Sequence, residues 1–596
     1  MTPIGQDIAD RLQHQWDRLA WALRRRGLAA VVRLACRGLF RSPGAGQALG
    51  AGERHGRWQR RRAWTAGALA RARRRAARLA PRPLVSLVCP VDGREVEAAG
   101  ATAASLGAQG YGEWELLLAA DAERRGELAE RLGSGTGRDP RLRLVPGRGA
   151  GRTGAVAGGI DAARGEVLAL VEAGALLEPN ALFQLAQAFA SDAELDVAYT
   201  DEDRIDPDGL RRDPVFKPAW SPTLLLSTNY LGRLCAVRRE LAGGGFTPGC
   251  EGAEEYDLVL RVVERARRVE HVPEVLYHAP PSGRRPAAEG GRLALAAALA
   301  RRGVEGLAAS LGPDRYRVRY ARAGAPLVSI AIPTRDRAAL LRACLSSILE
   351  ASTYRNFEIL IADNGSSDRE TLDTLRSLPP PHRVLPCPGE FNWSAINNLA
   401  AREARGEHFL FLNNDVEVLT PDWIEALLEH SQQPAVGAVG ARLLYPDGSI
   451  QHAGVVLGLE GFAGHAFRGL PAGAPGYEFL ASAVRECSAV TGACMMVPRE
   501  AFRAAGGFDE RLRVAFNDVD FCLRLRQRGY AVVYTPHAAL RHLESATRTG
   551  RVPRSEVLLV RKRWGALATR GDPYDMADLS PGPPPRDPAV QTRCRR

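Results

Sequence analysis

Short runs of apolar residues alternate along most of the chain with longer segments in which apolar residues recur at helical spacing. The runs at 84–91 and 327–333 each end at a turn, and the segment at 338–350 has the pattern of an amphipathic helix. Apolar runs of this length are typical of strands that are buried on both faces, as in parallel sheets. The alternation therefore predicts an α/β fold with a mostly parallel sheet.

The same pattern occurs twice in one order, with an offset that stays between 241 and 263 residues. The matched segments are VSLVCPV at 85–91 with VSIAIPT at 328–334, WELLLAAD at 114–121 with FEILIADN at 357–364, ARGE at 163–166 with ARGE at 404–407, and EEYDL at 254–258 with NDVDF at 517–521. A chain of 596 residues is also too long for a single core. We therefore expect two domains of one fold in tandem. The predicted parts are a basic helical arm with a linker at 1–80, a first domain at 81–322, a second domain at 323–580 and a disordered Pro-rich tail at 581–596.

The net charge of +12 is concentrated in the arm. Residues 1–80 hold 18 Arg, no Lys and 4 acidic residues, a net of +14, so the other 516 residues carry −2. A patch this local does not support nucleic-acid binding by the whole protein. Helices are predicted at 9–40 and 58–79, joined by a Gly- and Ala-rich linker at 42–56. Two interpretations stay open: the arm lies on the first domain with a solvated basic face, or it makes a peripheral contact with anionic lipid.

The ten cysteines are scattered, and none forms a C-x-x-C pair. Several fall inside apolar runs, which favours buried reduced thiols and therefore the cytoplasm. No apolar run of about 18 residues occurs, so no membrane-spanning helix is expected. The N-terminus also lacks the pattern of a secretory signal. We predict a cytoplasmic protein, with the inner face of the cytoplasmic membrane as an alternative location.

Acidic residues occupy predicted strand ends in the second half, where ligands bind in sheets of this class. Asp363 ends one apolar run, and Asn413, Asn414 and Asp415 end the next. Asp363 suits a contact to a base or ribose. Asp415 can reach a divalent cation that also touches a diphosphate, since hard oxygen ligands suit Mg²⁺ or Mn²⁺. Both segments are equally typical of polar turns.

Two further elements carry candidate chemistry. A predicted helix near 517–526 begins with Asn517, Asp518 and Asp520, which either cap the helix or include a general base. A predicted strand at 531–535 stops before a proline, and His542 follows after a short gap. A lone histidine is more often structural than a ligand, so each element is weak by itself.

The order and spacing of these motifs together resemble the family 2 glycosyltransferases of GT-A fold, over about 81–580. Further segments are similar to those of bacterial tandem-domain, rhamnosyltransferase-like members that act in O-antigen or cell-surface polysaccharide assembly. These segments are FNWSAINN at 391–398, YPDG at 445–448, QHAGVV at 451–456 and GGFDE at 506–510. The resemblance implies two tandem GT-A domains, each Rossmann-like with a mostly parallel sheet. It also implies a hexosyltransferase that uses a divalent cation (Mn²⁺ or Mg²⁺), a UDP-, dTDP- or GDP-linked sugar and a glycan or lipid-linked glycan acceptor.

The resemblance also implies roles for individual residues. Asp518 would be the catalytic base, and Asp415 and His542 would bind the metal. Because Asn-Asn-Asp departs from a full DXD motif, only its last position is carried over firmly. The residues expected to contact the nucleotide or the sugars are Pro333, Thr334, Asp363, Asn413, Asn414, Thr491, Gly492 and His452. A base on the face opposite the leaving group predicts one in-line displacement with inversion.

The first half departs from this pattern. Its counterparts of Asp363 and Asp415 are Ala120 and Gly174, although Glu255 and His278 are kept. Without the two carboxylates we expect this half to be catalytically silent, and it would bind acceptor glycan or brace the second half.

Three alternatives are weighed against a transferase. The first half could carry out metal-independent transfer through Glu172 or Asp121. The whole chain could instead be a non-catalytic carbohydrate-binding or scaffold protein, but the intact acidic set of the second half argues against it. A nucleotidyltransferase shares acidic metal ligands but not the helix beginning at 517 or the distal histidine.

Overall fold

The structure is a computed structural model that describes residues 65–92, 95–133, 139–149, 151–281, 287–543 and 552–575. The predicted helix at 9–40, the linker at 42–56 and the tail at 581–596 lie outside these residues. The chain divides into two units, one of which holds 1–65, 210–213 and 579–596. Everything below concerns the other unit, Ala66–Gly209 with Pro214–Asp578. It begins with helix α1 (Ala66–Ala77), which lies within the helix predicted at 58–79.

The first half alternates strands and helices as the apolar pattern predicts. Its elements are β1 (Val85–Pro90), α2 (Val96–Gly107), β2 (Trp114–Ala120), α3 (Ala122–Gly133), β3 (Leu142–Pro146), α4 (Gly151–Ala162), β4 (Val167–Leu170), β5 (Leu176–Leu177), α5 (Ala181–Ser191), β6 (Leu195–Ile205), β7 (Arg211–Val215), α6 (Pro222–Leu225), β8 (Cys235–Arg238), α7 (Glu254–Val263), β9 (Arg268–Ala279), α8 (Ala288–Arg301), β10 (Gly306–Gly312) and β11 (Arg315–Tyr320).

The second half repeats this alternation. Its elements are β12 (Val328–Thr334), α9 (Ala338–Ala351), β13 (Phe357–Asp363), α10 (Arg369–Arg376), β14 (Arg383–Pro386), α11 (Trp393–Glu403), β15 (His408–Leu412), β16 (Val416–Val418), α12 (Trp423–Ser431), β17 (Val436–Leu444), β18 (Ile450–His452), β19 (Val455–Leu457), β20 (Ala463–His465), β21 (Arg485–Glu486), β22 (Cys494–Pro498), α13 (Arg499–Ala505), α14 (Asn517–Gln527), β23 (Ala531–His542) and α15 (Arg554–Arg570).

The two halves form two sheets of one topology. The first runs β3-β2-β1-β4-β8-β6-β9-β5 and the second β14-β13-β12-β15-β22-β17-β23-β16, so each strand has a counterpart at the same place. In both sheets the strands up to β4 or β15 are parallel, and β8 or β22 is antiparallel to its neighbours. The fold is therefore a tandem pair of α/β GT-A domains with parallel-rich sheets. The predicted domain limits at 322/323 and 580 stay predictions.

The central strands are buried on both faces. In β13, Ile359 and Ile361 join one apolar cluster while Leu360 joins another, because successive side chains point to opposite sides of a sheet. All eight cysteines in the described residues are free, and seven of them are buried. The prediction of reduced thiols is thus confirmed for these eight, whereas Cys36 and Cys594 lie outside the described residues.

One predicted boundary is wrong. The pattern predicts a strand that ends at Thr535, but β23 continues through Pro536 to His542. Its pairing with β17 jumps from Ala441↔Thr535 to Arg442↔Ala539. Proline has no N–H to donate, and it is tolerated here because it falls within this irregularity of the ladder. The distal histidine is therefore the last residue of a core strand rather than part of a separate loop.

The two domains contact each other directly. The Tyr477 hydroxyl accepts a hydrogen bond from the Phe216 backbone N–H (2.8 Å) and donates one to the Pro214 carbonyl (2.9 Å). The β10–β11 hairpin reaches across to α12, where Arg317 lies 3.4 Å from Glu429. Both contacts join first-domain residues to the second domain. Among the described residues, no helix is long and apolar enough to cross a bilayer.

Candidate functional site

The predicted nucleotide residues meet at the carboxyl ends of β12 and β13. Thr334 pairs directly with Asp363 in the parallel ladder, and the half-buried Pro333 precedes it. The Asn414 side-chain amide donates to the Thr334 hydroxyl (2.9 Å), which joins the end of β15 to the same edge. One Asp363 oxygen accepts from the Ser366 N–H (3.0 Å) and hydroxyl (2.5 Å). Residues that are 80 positions apart in the chain thus share one crevice.

The loops after β12 and β13 are tied together by Asp336, which the sequence analysis did not single out. Its carboxylate accepts from the backbone N–H groups of Ser367 (2.7 Å) and Asp368 (2.8 Å), and these bonds hold the pKa of Asp336 below its usual value. Asp336 and Arg337 both adopt positive φ. Aspartate tolerates this left-handed conformation better than most residues, and its position in Thr-Arg-Asp-Arg after the strand is the available signal.

The predicted metal ligands face each other. β16 pairs with β23 so that Val416 lies opposite His542, which places His542 Nε2 3.1 Å from Asp415 Oδ1. The other ring nitrogen, Nδ1, lies 2.6 Å from Gln451 Oε1. A carboxamide oxygen only accepts hydrogen bonds, so Nδ1 carries the proton, and in the neutral ring Nε2 is the acceptor, towards which the Asn413 side-chain amide points at 3.3 Å. Gln451 therefore selects the tautomer, a role that the sequence alone does not reveal.

This pair fits a divalent cation. Asp415 Oδ1 is buried and has no hydrogen-bond partner although an imidazole nitrogen is 3.1 Å away. The carboxylate oxygen and the imidazole nitrogen face each other, so a divalent cation between them would replace the hydrogen bond that the Asn413 side-chain amide makes to Nε2 (3.3 Å). No group of three His, Cys, Asp or Glu side chains that could hold a metal occurs in the part of the chain that the structure describes. Two protein ligands are nevertheless sufficient for a cation whose remaining positions go to water and phosphate oxygens.

The structure separates the two aspartates at the start of α14. Asp520 is fully buried and accepts from Trp564 Nε1 (2.8 Å), and it pairs with Arg563 (2.5 Å) and Arg524 (2.8 Å). These partners make Asp520 an anchor for α15. Asp518 is partly exposed, and its Oδ2 accepts from the Gly492 N–H at 2.9 Å. Asp518 is therefore the carboxylate of this helix that is available for chemistry.

A single short segment connects the base candidate with Asn413, two residues before the metal-ligand candidate Asp415. Gly492 donates to Asp518, and the carbonyl of the next residue, Ala493, accepts from the Asn413 N–H at 3.1 Å. Because successive Cα atoms lie about 3.8 Å apart, the contacts that Gly492 and Ala493 make are close together. A Cβ on Gly492 would lie 2.7 Å from Cη2 of Trp393, so only glycine fits between this ring and Asp518. The predicted residues Asp518, Gly492 and Asn413 are thus brought together.

His452 lies beneath this segment and has no exposed surface. Its Nε2 accepts from the N–H groups of Gly454 (3.3 Å) and Thr491 (3.5 Å). Burial, with His465 and Arg485 nearby, lowers the pKa of His452 well below its ordinary value, so the ring is neutral. These contacts support the Thr491 backbone and do not place the ring at the surface of the crevice.

The corresponding place in the first domain is occupied by ion pairs. Arg152, at the position equivalent to Trp393, pairs with Glu255 at 2.6 Å. Glu172, at the position equivalent to Asn413, pairs with Arg233 at 3.0 Å. Burial raises the pKa of Glu255, but the facing guanidinium outweighs burial and the net effect is a lowered pKa. His278 Nδ1 lies 2.5 Å from Asp203, which differs from the arrangement around His542.

Comparison with known proteins extends these observations. The family model "Glycosyl transferase family 2" matches residues 329–503. The chain is 41% identical over 516 residues to the O-antigen biosynthesis protein RfbC of Myxococcus xanthus, covering 84% of this chain and 40% of that protein. It is 39% identical over 548 residues to the uncharacterized protein y4gI of Sinorhizobium fredii, covering 88% and 60%. The chain thus spans between two fifths and three fifths of these relatives' lengths.

A shorter relative is covered more completely. The chain is 32% identical over 228 residues to N-acetylglucosaminyl-diphospho-decaprenol L-rhamnosyltransferase of Mycobacterium tuberculosis, covering 35% of this chain and 73% of that protein. A solved structure of GalNAc-T7 with UDP, GalNAc and Mn²⁺ is similar at a TM-score of 0.34 and 16% identity, over 42% of this chain and 49% of that one. This last likeness is too slight to bear on the site.

Proposed function

The chain belongs to the family 2 glycosyltransferases, and from that premise we propose that its second domain transfers a sugar with inversion from a nucleotide-sugar donor to a glycan or lipid-linked glycan. The observation that carries the proposal is the arrangement around Gly492 and Ala493: Gly492 donates to Asp518, and Ala493 accepts from Asn413, two residues before Asp415 of the facing Asp415–His542 pair. A base and a cation site next to each other are what displacement of a nucleoside diphosphate by a hydroxyl requires.

Asp518 acts as the general base in this proposal. Gly492 donates to Oδ2 (2.9 Å) and Val519 donates to Oδ1 (2.8 Å), which fix the orientation of the carboxylate. The carboxylate takes the proton of the acceptor hydroxyl as the hydroxyl oxygen bonds to the anomeric carbon. The bond from that carbon to the diphosphate oxygen breaks at the same time. A base placed in this way contributes on the order of 10²–10⁴ in rate.

Asp415 and His542 would hold the divalent cation, whose chemistry is to stabilise negative charge on the departing diphosphate. Gln451 holds the proton on Nδ1 of His542, which leaves Nε2, 3.1 Å from Asp415 Oδ1, as the nitrogen that would bind the cation. Thr334, Asp363 and the half-buried Pro333 would contact the nucleotide, with Asn414 holding the Thr334 hydroxyl. Thr491, Gly492 and Asn413 would border the sugar.

The biological setting is also a proposal. Two of the relatives carry the names of an O-antigen biosynthesis protein and of a rhamnosyltransferase that acts on a diphospho-decaprenol. We place this chain in the assembly of a comparable cell-surface polysaccharide, on the cytoplasmic side of the membrane. Membrane contact through residues 1–80 stays a prediction, because most of the arm lies outside the described residues. Liposome flotation of the full chain against one that starts near Arg82 tests it, and equal flotation would contradict it.

The first domain is proposed to be catalytically silent. Its candidate base, Glu255, is held ionised by Arg152, which opposes uptake of a proton. Its counterpart of Asp415 is Gly174, which offers no ligand. Detectable transfer by a full chain that carries Asp518→Asn and Asp415→Ala would contradict this assignment.

The proposal is tested by nucleoside diphosphate release from UDP-, dTDP- and GDP-sugars, with Mn²⁺, Mg²⁺ or EDTA. We expect one donor class to be used, with activity lost in EDTA and in Asp415→Ala. Glu417→Ala is the matched control, because this carboxylate is two residues away and pairs only with a half-exposed Arg541 in the described contacts. Its activity should equal that of the wild type. Diphosphate release that does not depend on metal, or full activity in Asp415→Ala, would refute the metal assignment. An absence of release from every donor would favour a non-catalytic carbohydrate-binding protein.

A further inference from the structure

The first domain contains a cavity of about 770 Å³ that the proposed reaction does not use. Its wall includes Glu172 after β4, residues 204–205 at the end of β6 and residues 279–281 at the end of β9. Residues 478–480 of the second domain complete the wall. The cavity thus lies at the ligand-binding edge of the first sheet. Its size is within the range of about 300–1,000 Å³ that is typical of small-molecule sites.

The charges of the wall nearly balance. The basic side chains are Arg152, Arg204, Lys217, Arg233 and Arg315, and the acidic ones are Glu172, Glu202, Glu254, Glu255, Asp314 and Glu478. Lys217 pairs with Glu202 at 2.9 Å, and Arg233 and Arg152 pair with Glu172 and Glu255. A diphosphate requires positive charge that is not already neutralised. Three of the five basic side chains of the wall are paired, and the acidic side chains outnumber the basic ones by one, so the wall disfavours a nucleotide and favours an uncharged ligand.

The wall also contains acceptors suited to hydroxyl groups. Asn229 Oδ1 and Glu254 Oε2 are buried and accept no hydrogen bond within the described part of the chain. Glu254 Oε2 lies 3.8 Å from Arg152 Nε, an ion-pair contact that is longer than a hydrogen bond. Glu254 is 1% exposed, and its other oxygen accepts from the Thr153 hydroxyl at 2.8 Å. Buried acceptors are normally satisfied, so two of them in one cavity wall point to a donor-rich ligand. Sugar hydroxyls are donors of this kind.

An aromatic ring stands at this wall under backbone strain. Phe479 is 37% exposed and has a φ of 67°, and the preceding Glu478 has a φ of 44°. Two successive non-glycine residues in the left-handed region cost on the order of 1–3 kcal/mol each, and such strain concentrates at ligand sites. The Arg315 guanidinium lies 4.9 Å from the ring centre. A flat, partly exposed ring beside buried acceptors suits the apolar face of a pyranose.

We propose that this cavity binds a short neutral oligosaccharide and forms a glycan subsite separate from the transfer centre of the second domain. The inference rests on the proposed function only in identifying that oligosaccharide with the acceptor glycan. Binding through Asn229, Glu254 and Phe479 requires neither donor nor metal. The first domain would then hold the growing chain while the second domain extends it.

Saturation-transfer NMR on the full chain tests this inference without donor. The probes are neutral di- and trisaccharides of rhamnose, galactose, glucose and N-acetylglucosamine, with UDP, dTDP and GDP as comparison ligands. We expect a saccharide to bind, and we expect Asn229→Ala and Phe479→Ala each to weaken its binding about tenfold, which corresponds to about 1.4 kcal/mol. Leu470→Ala, which alters a side chain of equal exposure outside the cavity wall, should bind normally.

The outcomes separate this inference from the proposed function. Saccharide binding without any diphosphate release would support the subsite and refute the transferase assignment. Donor turnover without binding of any saccharide would overturn the subsite. Saccharide binding that persists unchanged in both Asn229→Ala and Phe479→Ala would also overturn the subsite. So would a nucleoside diphosphate that binds the wild type and no longer binds either variant, because the cavity would then be a nucleotide site. Thermal unfolding of each variant verifies that it is folded. If Asn229→Ala is unstable, Phe479→Ala still tests the inference, because it removes a partly exposed ring.

Discussion

Replacing Gly492 with alanine should separate the Asp518 carboxylate, the proposed general base, from the backbone N–H that supports it. A Cβ there would lie 2.7 Å from Cη2 and 2.8 Å from Cζ2 of Trp393. Carbon atoms normally approach to about 3.5 Å, so one partner must move by about 0.7 Å. The indole packs against Phe508 (ring centres 4.8 Å apart) and Phe411 (6.4 Å), which limits its retreat. Movement of residue 492 would lengthen its 2.9 Å bond to Asp518 to about 3.6 Å, beyond hydrogen-bonding distance.

We expect turnover to fall about 10²-fold, the effect of misplacing a reacting group by about 1 Å. Stability should fall by about 1–3 kcal/mol from overpacking. The assay is nucleoside diphosphate release at saturating donor, together with urea unfolding. The double variant Gly492→Ala/Trp393→Phe should recover most of the turnover, because phenylalanine lacks both clashing atoms. Gly473→Ala is the control, since a Cβ there meets nothing within 4 Å. Wild-type turnover in Gly492→Ala, or no recovery in the double variant, would refute this reasoning.

Three further predictions concern two variants that affect stability and one first-domain variant that should leave activity unchanged. Asp520→Ala should lower the free energy of unfolding by about 3–5 kcal/mol in urea titrations, because it leaves the buried Trp564 indole N–H without its acceptor and removes the carboxylate that pairs with the largely buried Arg524. A loss below about 1 kcal/mol would contradict the anchor role. Burial lowers the pKa of His430 to about 4, so its stabilising contribution is complete above pH 6.5 and is lost as the pH falls towards 4. Between pH 7 and 4.5 the wild type should therefore lose on the order of 2–3 kcal/mol more than His430→Phe, whereas parallel losses would exclude this group. Arg152→Met should leave diphosphate release unchanged, since its partner Glu255 belongs to the domain that we propose to be silent, and a large loss of release would give the first domain a part in the reaction.

Much of the fold could be predicted from apolar patterning. The helix predicted at 338–350 is α9 (Ala338–Ala351), and the apolar runs predicted to end at Asp363 and before Asn413 are the strands β13 and β15. Strands buried on both faces leave a continuous apolar run, and sequence shows this directly. The continuation of β23 beyond Pro536 could not be found in this way, because a proline normally ends such a pattern and its tolerance here depends on the irregular pairing with β17.

The candidate site was only partly accessible to sequence. Asp415 and His542 could be named, but their separation of 3.1 Å and the selection of the tautomer by Gln451 depend on strands that are distant in the chain. Asp518 and Asp520 are two residues apart and so lie on different faces of the helix. Sequence does not tell which face meets the crevice; the contacts of Asp520 with α15 decide it.

The sequence by itself determined that the chain contains one α/β domain twice. It also determined that the first copy has Ala120 and Gly174 where the second has carboxylates, since repeated segments and residue identities can be read directly along the chain. The tertiary structure alone decided how Arg152 neutralises Glu255 from 103 residues away and how Gly492 supports Asp518. It also decided that acceptors and a strained aromatic ring line one cavity of the first domain. Such relations depend on which strand ends share an edge and which side chains face across it, and these distances arise only when the sheets are assembled.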